Sequence, residues 1–284
     1  MVAHSHNDYK HERPLFSALK QQFYSVEADL WVSGNRLVVT HDFPFSIKGD
    51  LVNLYLEPLQ KLVDKRGSVY GDGRPFYLWL DIKDWDRQAI SILKDILTGV
   101  RDFPLSSLPD LFEQDDESRA DFFERTSRIG YSMLTSFTDS NVTNGPVTII
   151  ITGNDEQKKR FINDEFSSIR YAARDSNFYH SHDPVNVDHR WSWYALNWKK
   201  YFKWNGRGAI SAVERAAFFA MVRDIHHKGR KVRFWKAPET EAFFRLMCEA
   251  GVDFINADNL RFLADFMRHN RCAQARQNRG LLLN

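Results

Sequence analysis

The stretch SVEADLWV, residues 25–32, is an apolar strand pattern that carries two carboxylates at alternate positions. Side chains two residues apart in a strand point to the same side, so Glu27 and Asp29 share one face. Two carboxylates on a buried face repel each other and are costly to desolvate unless a positive group compensates them. A hard divalent cation, Mg²⁺ or Ca²⁺, is a compensating group that suits carboxylate oxygens. The alternative is a partly exposed strand with solvated acids.

Around this stretch, short apolar runs alternate with longer helical patterns. The strand candidates are residues 2–4, 25–32, 36–42, 76–83, 147–154, 169–175, the neighbourhood of 194–198, 231–238 and 252–258. The helical patterns are residues 14–22, 87–97, 116–125, 156–163, 212–228, 239–250 and 260–271. This alternation indicates βα units and a parallel sheet. About eight such units in one chain favour a closed (β/α)8 barrel of the TIM type over an open sheet, so we expect a single α/β domain over residues 1–284.

The composition excludes several classes of protein. A net charge of +2 gives no footprint for nucleic acid, and no apolar run is long enough to span a membrane. The two cysteines, Cys248 and Cys272, have neither a metal-binding nor a redox spacing. No signal peptide is visible, and the sequence is compatible with a secreted or periplasmic mature form from which one has been removed. Oligomeric state and compartment do not follow from these data.

Further polar residues follow other strand candidates. Asp81 and Lys83 end the apolar run FYLWLDIK, where they predict a third carboxylate for a cation and a lysine for an anionic oxygen of the substrate; a buried ion pair is the alternative. His4 follows the first short run and His41 ends RLVVTH. Two histidines can serve as general acid and general base, although a single histidine at a strand end is more often structural.

Two late strands and one long segment complete the candidates. Arg233 and Trp235 share a face of KVRFWKAP and suit contact with a substrate. For the tryptophan, a place in the core is the alternative. Asn256 and Asp258 suit supporting hydrogen bonds. Residues 176–207 are rich in Trp, Tyr and His, which predicts either a loop over the active site or a packed aromatic loop at the rim.

The chain resembles the phospholipase-C-like phosphodiesterase superfamily in seven segments that follow one another in order. These segments are VAHSHNDY, RPLFSAL, SVEADLWV, LVVTHD, LWLDIKDW, VRFWKAP and GVDFINADNL. That superfamily includes glycerophosphodiester phosphodiesterases and sphingomyelinase D enzymes. The HxHNDY start is most similar to a branch that includes the altered-inheritance-of-mitochondria-6-type proteins. The resemblance implies a TIM barrel that cleaves a small-molecule or lipid phosphodiester with one divalent cation, Mg²⁺ or Ca²⁺.

The resemblance also implies roles for individual residues. His4 and His41 match the catalytic acid–base pair, and Glu27, Asp29 and Asp81 match the metal ligands. Lys83, Arg233, Trp235 and His6 are the expected substrate contacts, with His6 open between contact and support. The glycerophosphodiesterase start HRG is absent, which weakens the expectation of a glycerol headgroup.

Two other functions fit parts of the pattern. An amidohydrolase-like zinc hydrolase would use His4 and His6 as zinc ligands, but the histidines that such a site needs at later strand ends are missing. A barrel without catalytic activity would bind a headgroup or a sugar. The combination of two histidines and three carboxylates favours the phosphodiesterase, acting either as a hydrolase or as a lyase that forms a cyclic phosphate.

Overall fold

The computed structural model describes residues 3–84, 87–99, 130–138, 141–165 and 170–270. Several predicted features lie outside these ranges: the predicted helix at 116–125, Cys272, the first residues of the predicted strands 2–4 and 169–175, and the last residue of the predicted helix 260–271. Within them, no helix is both long and apolar enough to cross a membrane.

Twelve strands are described, in chain order: β1 (Ala3–Ser5), β2 (Ser25–Ser33), β3 (Arg36–Val39), β4 (Gly49–Asp50), β5 (Phe76–Ile82), β6 (Ser136–Phe137), β7 (Val142–Thr143), β8 (Val147–Thr152), β9 (Ala172–Ser176), β10 (Trp191–Asn197), β11 (Lys231–Trp235) and β12 (Phe254–Ala257). Eight of these pair in parallel in the order β1, β2, β5, β8, β9, β10, β11 and β12. Pairing of β12 with β1 closes the ring. The predicted closed barrel is therefore confirmed.

The described helices are α1 (Phe16–Lys20), α2 (Glu57–Arg66), α3 (Arg87–Thr98), α4 (Asp155–Arg160), α5 (Trp198–Tyr201), α6 (Ala212–His227), α7 (Glu241–Ala250) and α8 (Leu260–His269). Shorter helical segments lie at Asp8–Lys10, Val52–Leu56 and Phe161–Glu165. The helical stretch formed by Val52–Leu56 and α2 was not predicted from the sequence. Residues 36–42 were predicted as a strand, and the strand found there, β3, pairs antiparallel with the end of β2, outside the barrel.

Aromatic rings fill the lower half of the barrel interior, towards the amino ends of the strands. Alternation along the strands points Trp79, Trp193 and Phe254 inwards, where Trp193 stacks on Phe254 at 5.1 Å and meets Trp79 edge to face at 5.2 Å. All three rings are buried. This aromatic plug leaves only the upper half of the interior for polar side chains, at the carboxyl ends of the strands, where TIM barrels hold their active sites.

The segment between β9 and β10 differs from its prediction. Within residues 176–207, Trp191–Asn197 is a barrel strand and only residues 177–190 form a long loop. This loop descends beside α6: Lys228 donates to the carbonyl of Ser181 at 2.7 Å, and Tyr179 donates to Asp224 at 2.7 Å. The loop thus packs along the barrel wall in the place of a crossover helix, in line with the packed alternative, and an active-site role for it stays a prediction.

Replacing Trp193 by Ala tests the aromatic plug. Because the ring is buried against two others, the cavity left behind should lower the free energy of unfolding by about 3–5 kcal/mol. Urea denaturation followed by circular dichroism measures this loss. Val187→Ala is the control, since Val187 is 86% exposed and its truncation should change the midpoint little. Equal midpoints for the two variants would contradict the packing described.

Candidate active site

Three carboxylates meet inside the upper half of the barrel. The inner face of β2 presents Glu27 and Asp29, and Asp81 on β5 lies in register with Asp29. Each of the three carboxylates offers an oxygen within 4.8 Å of the others. Glu27 and Asp29 are buried, and Asp81 is partly exposed. The structure thus brings together the three residues predicted as metal ligands.

Arg233 compensates one side of this acidic cluster. Its Nη2 donates to Glu27 Oε2 at 2.6 Å, its Nη1 donates to Asn256 Oδ1 at 2.8 Å, and its guanidinium lies 4.2 Å from the ring centre of Trp79. Burial alone would raise the pKa of Glu27, but Arg233, followed by His6, outweighs burial and holds that pKa well below its usual range. Glu27 is therefore ionised although it is buried.

Lys83 compensates the other side. Its ammonium donates to Asp81 Oδ2 at 2.5 Å and lies 3.2 Å from Asp29 Oδ2. Burial would lower the pKa of Lys83, but Asp81 and Asp29 outweigh it and raise that pKa. Burial raises the pKa of Asp81 to about 6, with Lys83 opposing and the neighbouring Glu27 and Asp29 adding to the rise. One lysine thus does not fully offset the crowding of three carboxylates.

One carboxylate oxygen in the cluster has no partner. Asp29 Oδ2 accepts hydrogen bonds from Tyr9 and His41, whereas Asp29 Oδ1 is buried without a hydrogen-bond partner among the described residues. An unsatisfied buried carboxylate oxygen carries a desolvation penalty, which a bound cation would relieve. Three carboxylates with an unused oxygen fit a hard divalent cation of the Mg²⁺ or Ca²⁺ type.

His41 stands at the mouth of the barrel beside the cluster. Its Nδ1 bonds to Asp29 Oδ2 at 2.8 Å, its side chain is 48% exposed, and Nε2 has no partner among the described residues. The hydroxyl of Tyr9 lies 2.9 Å from Asp29 Oδ2 and 3.3 Å from His41 Nδ1. Sequence reasoning missed Tyr9, although it belongs to the quoted HNDY motif. The carboxylate of Asp29 and the tyrosine hydroxyl together fix the ring, with Nε2 free to exchange a proton.

The loop that carries Tyr9 is held by a buried aspartate. Asp8 accepts hydrogen bonds from Ser5 Oγ at 2.8 Å, from Tyr55 Oη at 3.1 Å and from the backbone N–H of Leu15 at 2.5 Å. Leu15 has φ of 63°, a left-handed conformation that costs a leucine about 1–2 kcal/mol. The carboxylate therefore offsets local strain and fixes the turn between β1 and α1.

His6 lies between two carboxylates. Its Nδ1 bonds to Asp258 Oδ1 at 2.7 Å and its Nε2 lies 3.8 Å from Glu27 Oε1, with 24% of the side chain exposed. Burial would lower the pKa of His6, but Glu27 and Asp258 outweigh it and raise that pKa. This position favours an imidazolium at the edge of the acidic cluster.

His4 is the most buried of the three histidines at the site. Pairing of β1 with β2 sets His4 opposite Ser25, and its Nδ1 and Nε2 bond to Ser25 Oγ at 2.7 Å and to Glu27 Oε2 at 3.1 Å. The side chain is fully buried, and burial, with the charge of Arg233, lowers its pKa to about 3. Both ring nitrogens are thus bonded within the protein, and the acid–base role of His4 stays a prediction.

Arg233 and Trp235 make their described contacts inside the barrel, and their predicted contact with substrate stays a prediction. Arg233 is 3% exposed, and its two terminal nitrogens are engaged by Glu27 and Asn256. Trp235 packs against the interior aromatic group, and its indole N–H donates to the carbonyl of Ala195 at 3.1 Å. The supporting roles expected of Asn256 and Asp258 agree with their bonds to Arg233 and to His6.

Comparison with known proteins supports the phosphodiesterase resemblance. Residues 1–71 match the AIM6-like phosphodiesterase domain model. The altered inheritance of mitochondria protein 6 of Eremothecium gossypii is 25% identical over 93% of this chain and 68% of its own length. Its counterpart in Kluyveromyces lactis is 28% identical over 53% of this chain and 37% of its own length.

A solved glycerophosphodiester phosphodiesterase from Parabacteroides distasonis has 13% sequence identity and a TM-score of 0.49, over 94% of this chain and 97% of that chain. The three histidines, Glu27 and Asp29 lie within the 1–71 match, whereas Asp81 and Asp258 lie beyond it. The match to the domain model and the two relatives confirm the resemblance, predicted from the motifs, to the branch that includes the altered-inheritance-of-mitochondria-6 proteins.

Proposed function

We propose that this protein is a metal-dependent phosphodiesterase that uses two histidines as acid and base. The observation that supports this best is the unpartnered Asp29 Oδ1 within a cluster of three carboxylates, flanked by two partly exposed histidines. The proposed substrate is a phosphodiester of the glycerophosphodiester or phospholipid-headgroup type. The reaction is transfer of the phosphoryl group either to water or to a hydroxyl of the substrate, which would give a cyclic phosphate.

Glu27, Asp29 and Asp81 would hold one Mg²⁺ or Ca²⁺ ion. When bound, the ion supplies positive charge that polarises a non-bridging phosphate oxygen. Lys83, which already lies between Asp29 and Asp81, would then be released in part from its ion pairs and would stabilise a phosphate oxygen.

The two histidines differ in a way that suggests separate roles. Asp29 accepts a hydrogen bond from Nδ1 of His41, which leaves a lone pair on Nε2 to remove a proton from the attacking hydroxyl. His6 lies between Asp258 and Glu27, where it retains a proton to donate to the leaving oxygen. His4 would act only by orienting Glu27.

The two alternatives have less support. A zinc hydrolase would need histidines within one ligand group, but in the described part of the chain the only such group consists of the three carboxylates. A barrel without catalytic activity would bind ligand without turnover. Two substrates separate these cases, each assayed with Mg²⁺, Ca²⁺ or Zn²⁺ and with EDTA as control: bis-p-nitrophenyl phosphate, which can only be hydrolysed, and glycerophosphoinositol, whose hydroxyl groups can also form a cyclic phosphate. A lack of turnover of both substrates with every ion would refute the proposed function.

Replacing His41 or His6 by Ala tests the acid–base pair. Each substitution should lower kcat/KM for glycerophosphoinositol by about 10²–10⁴-fold, the range typical of general acids and bases, because its alkoxide leaving group needs a proton. His227→Ala is the matched control, because His227 is exposed on α6 at the opposite end of the barrel. Circular dichroism of each variant checks folding. Retention of activity within about tenfold in the His6 variant would remove His6 from the pair.

Asp29→Asn tests the cation site. Loss of one carboxylate should abolish the rise in melting temperature that Mg²⁺ or Ca²⁺ gives the unmodified protein, since oxygen-rich sites depend on ligand charge. Asp42→Asn is the control, because Asp42 is exposed, lies beside His41 and is outside the cluster. An equal cation response in the two variants would show that Asp29 is not a ligand.

Cation binding should weaken at low pH. The pKa of Asp81 is raised to about 6, so this carboxyl is neutral below that pH and the cation must displace its proton. Because the pKa in the folded state lies above that of the unfolded chain, the metal-free protein loses stability as the pH rises towards 6. The rise in melting temperature with Mg²⁺ should therefore be small at pH 5 and full at pH 7.5. The same rise at both pH values would contradict the assignment of Asp81.

A further inference from the structure

A groove of about 840 Å³ adjoins the candidate site on the side of His6. Its walls come from the loop after β1, from α1 and from the loops after β11 and β12. Asp258, whose carboxylate holds His6, is part of the wall. Asp258 and His6 therefore connect the groove to the acidic cluster, because His6 Nε2 lies 3.8 Å from Glu27 Oε1.

The groups that this groove offers to a ligand are hydrogen-bond donors and cations. Lys20 and Gln21 line it without a side-chain partner among the described residues. Arg261 is free except for a contact of 3.8 Å with Asp265 on its own helix, and its side chain is 86% exposed. His11 Nε2 is buried and has no hydrogen-bond partner in the described part of the chain.

The two carboxylates that line the groove already have partners. Both carboxylate oxygens of Glu239 accept backbone N–H groups, from Asp258 at 2.5 Å and from Asn259 at 3.1 Å. Asp258 Oδ1 binds His6, while the Asp258 side chain remains 70% exposed. A cationic headgroup would have to compete with these bonds, whereas an anionic group meets Lys20 and Arg261 directly.

We infer that this groove binds an anionic group, a phosphate or a carboxylate, that the substrate carries beyond its scissile phosphodiester. The inference rests on the proposed function and narrows it to substrates with a second negative charge. The cleaved bond would lie over the acidic cluster, and the distal anion would lie between α1 and the start of α8. A neutral headgroup would leave the charges of Lys20 and Arg261 without an anionic partner.

Binding of inorganic phosphate tests the groove independently of turnover. Isothermal titration at low salt uses protein that has been passed over a chelating resin to remove metal ions, with no soluble chelator present, because a polycarboxylate such as EDTA would compete for the groove. The metal-free acidic cluster repels anions, so phosphate is directed to the groove. The double variant Lys20→Gln/Arg261→Gln should lose about tenfold or more in affinity, since two charge-assisted contacts are removed. Lys61→Gln/Arg36→Gln, on exposed residues of α2 and β3, is the matched control and should bind as the unmodified protein does. Absence of phosphate binding, or equal affinity in both double variants, would overturn the inference.

A pair of substrates then identifies the source of the anion. With Mg²⁺, the unmodified protein should cleave glycerophosphoinositol 4-phosphate with a higher kcat/KM than glycerophosphoinositol, and the Lys20→Gln/Arg261→Gln variant should lose about tenfold of that preference. Phosphate binding without any preference would mean that the groove binds a free anion, which overturns the assignment to substrate. If no phosphodiester is cleaved, the proposed function fails while the phosphate titration still decides the groove.

Discussion

The ion pair between Arg233 and Glu27 is the interaction on which the upper half of the barrel depends. Both side chains are almost completely buried, and the guanidinium donates to Glu27 at 2.6 Å and lies over Trp79. Removing one partner of such a pair typically costs about 3–5 kcal/mol because the remaining charge is left buried without compensation. The pair therefore allows an ionised carboxylate to persist inside an otherwise aromatic barrel. His4 adds a third contact to the same carboxylate and leaves Glu27 Oε1 to face His6.

The fold follows from the sequence because it is encoded locally. Apolar runs such as residues 76–83 and 147–154 alternate with amphipathic helical patterns, and each unit carries its own signal. The pairing of residues 36–42 was harder to predict, because a strand pattern does not show whether the neighbouring strand runs parallel or antiparallel. The helix Glu57–Arg66 was missed because its leading segment, Val52–Leu56, contains apolar residues without clear caps. The location of the loop at 177–190 did not follow from the sequence, because its aromatic composition is the same whether it covers a site or packs on the barrel wall.

The candidate site was predictable in composition and only partly in arrangement. Alternation along β2 places Glu27 and Asp29 on one face, and register then brings Asp81 beside Asp29. No such rule states which of two histidines in an HxH pattern faces inwards. His4 is the strand residue that points into the barrel, whereas His6 lies just beyond the strand, where the chain leaves the sheet. The inward residue is consequently buried, and the residue after the strand is partly exposed.

The polar residues near the start of the chain contact different sides of the acidic cluster. His6 and Tyr9 are only three positions apart, yet His6 bonds to Asp258 at the end of the last barrel strand and Tyr9 bonds to Asp29 on the second strand. The intervening Asn7 adopts φ of 48°, and the buried Asp8 binds Ser5, Tyr55 and Leu15, so the turn directs its two neighbours to opposite sides of the acidic cluster. Asparagine tolerates this left-handed conformation better than most residues. A single short turn thereby sets the positions of one proposed proton donor and of the hydroxyl that orients the proposed base.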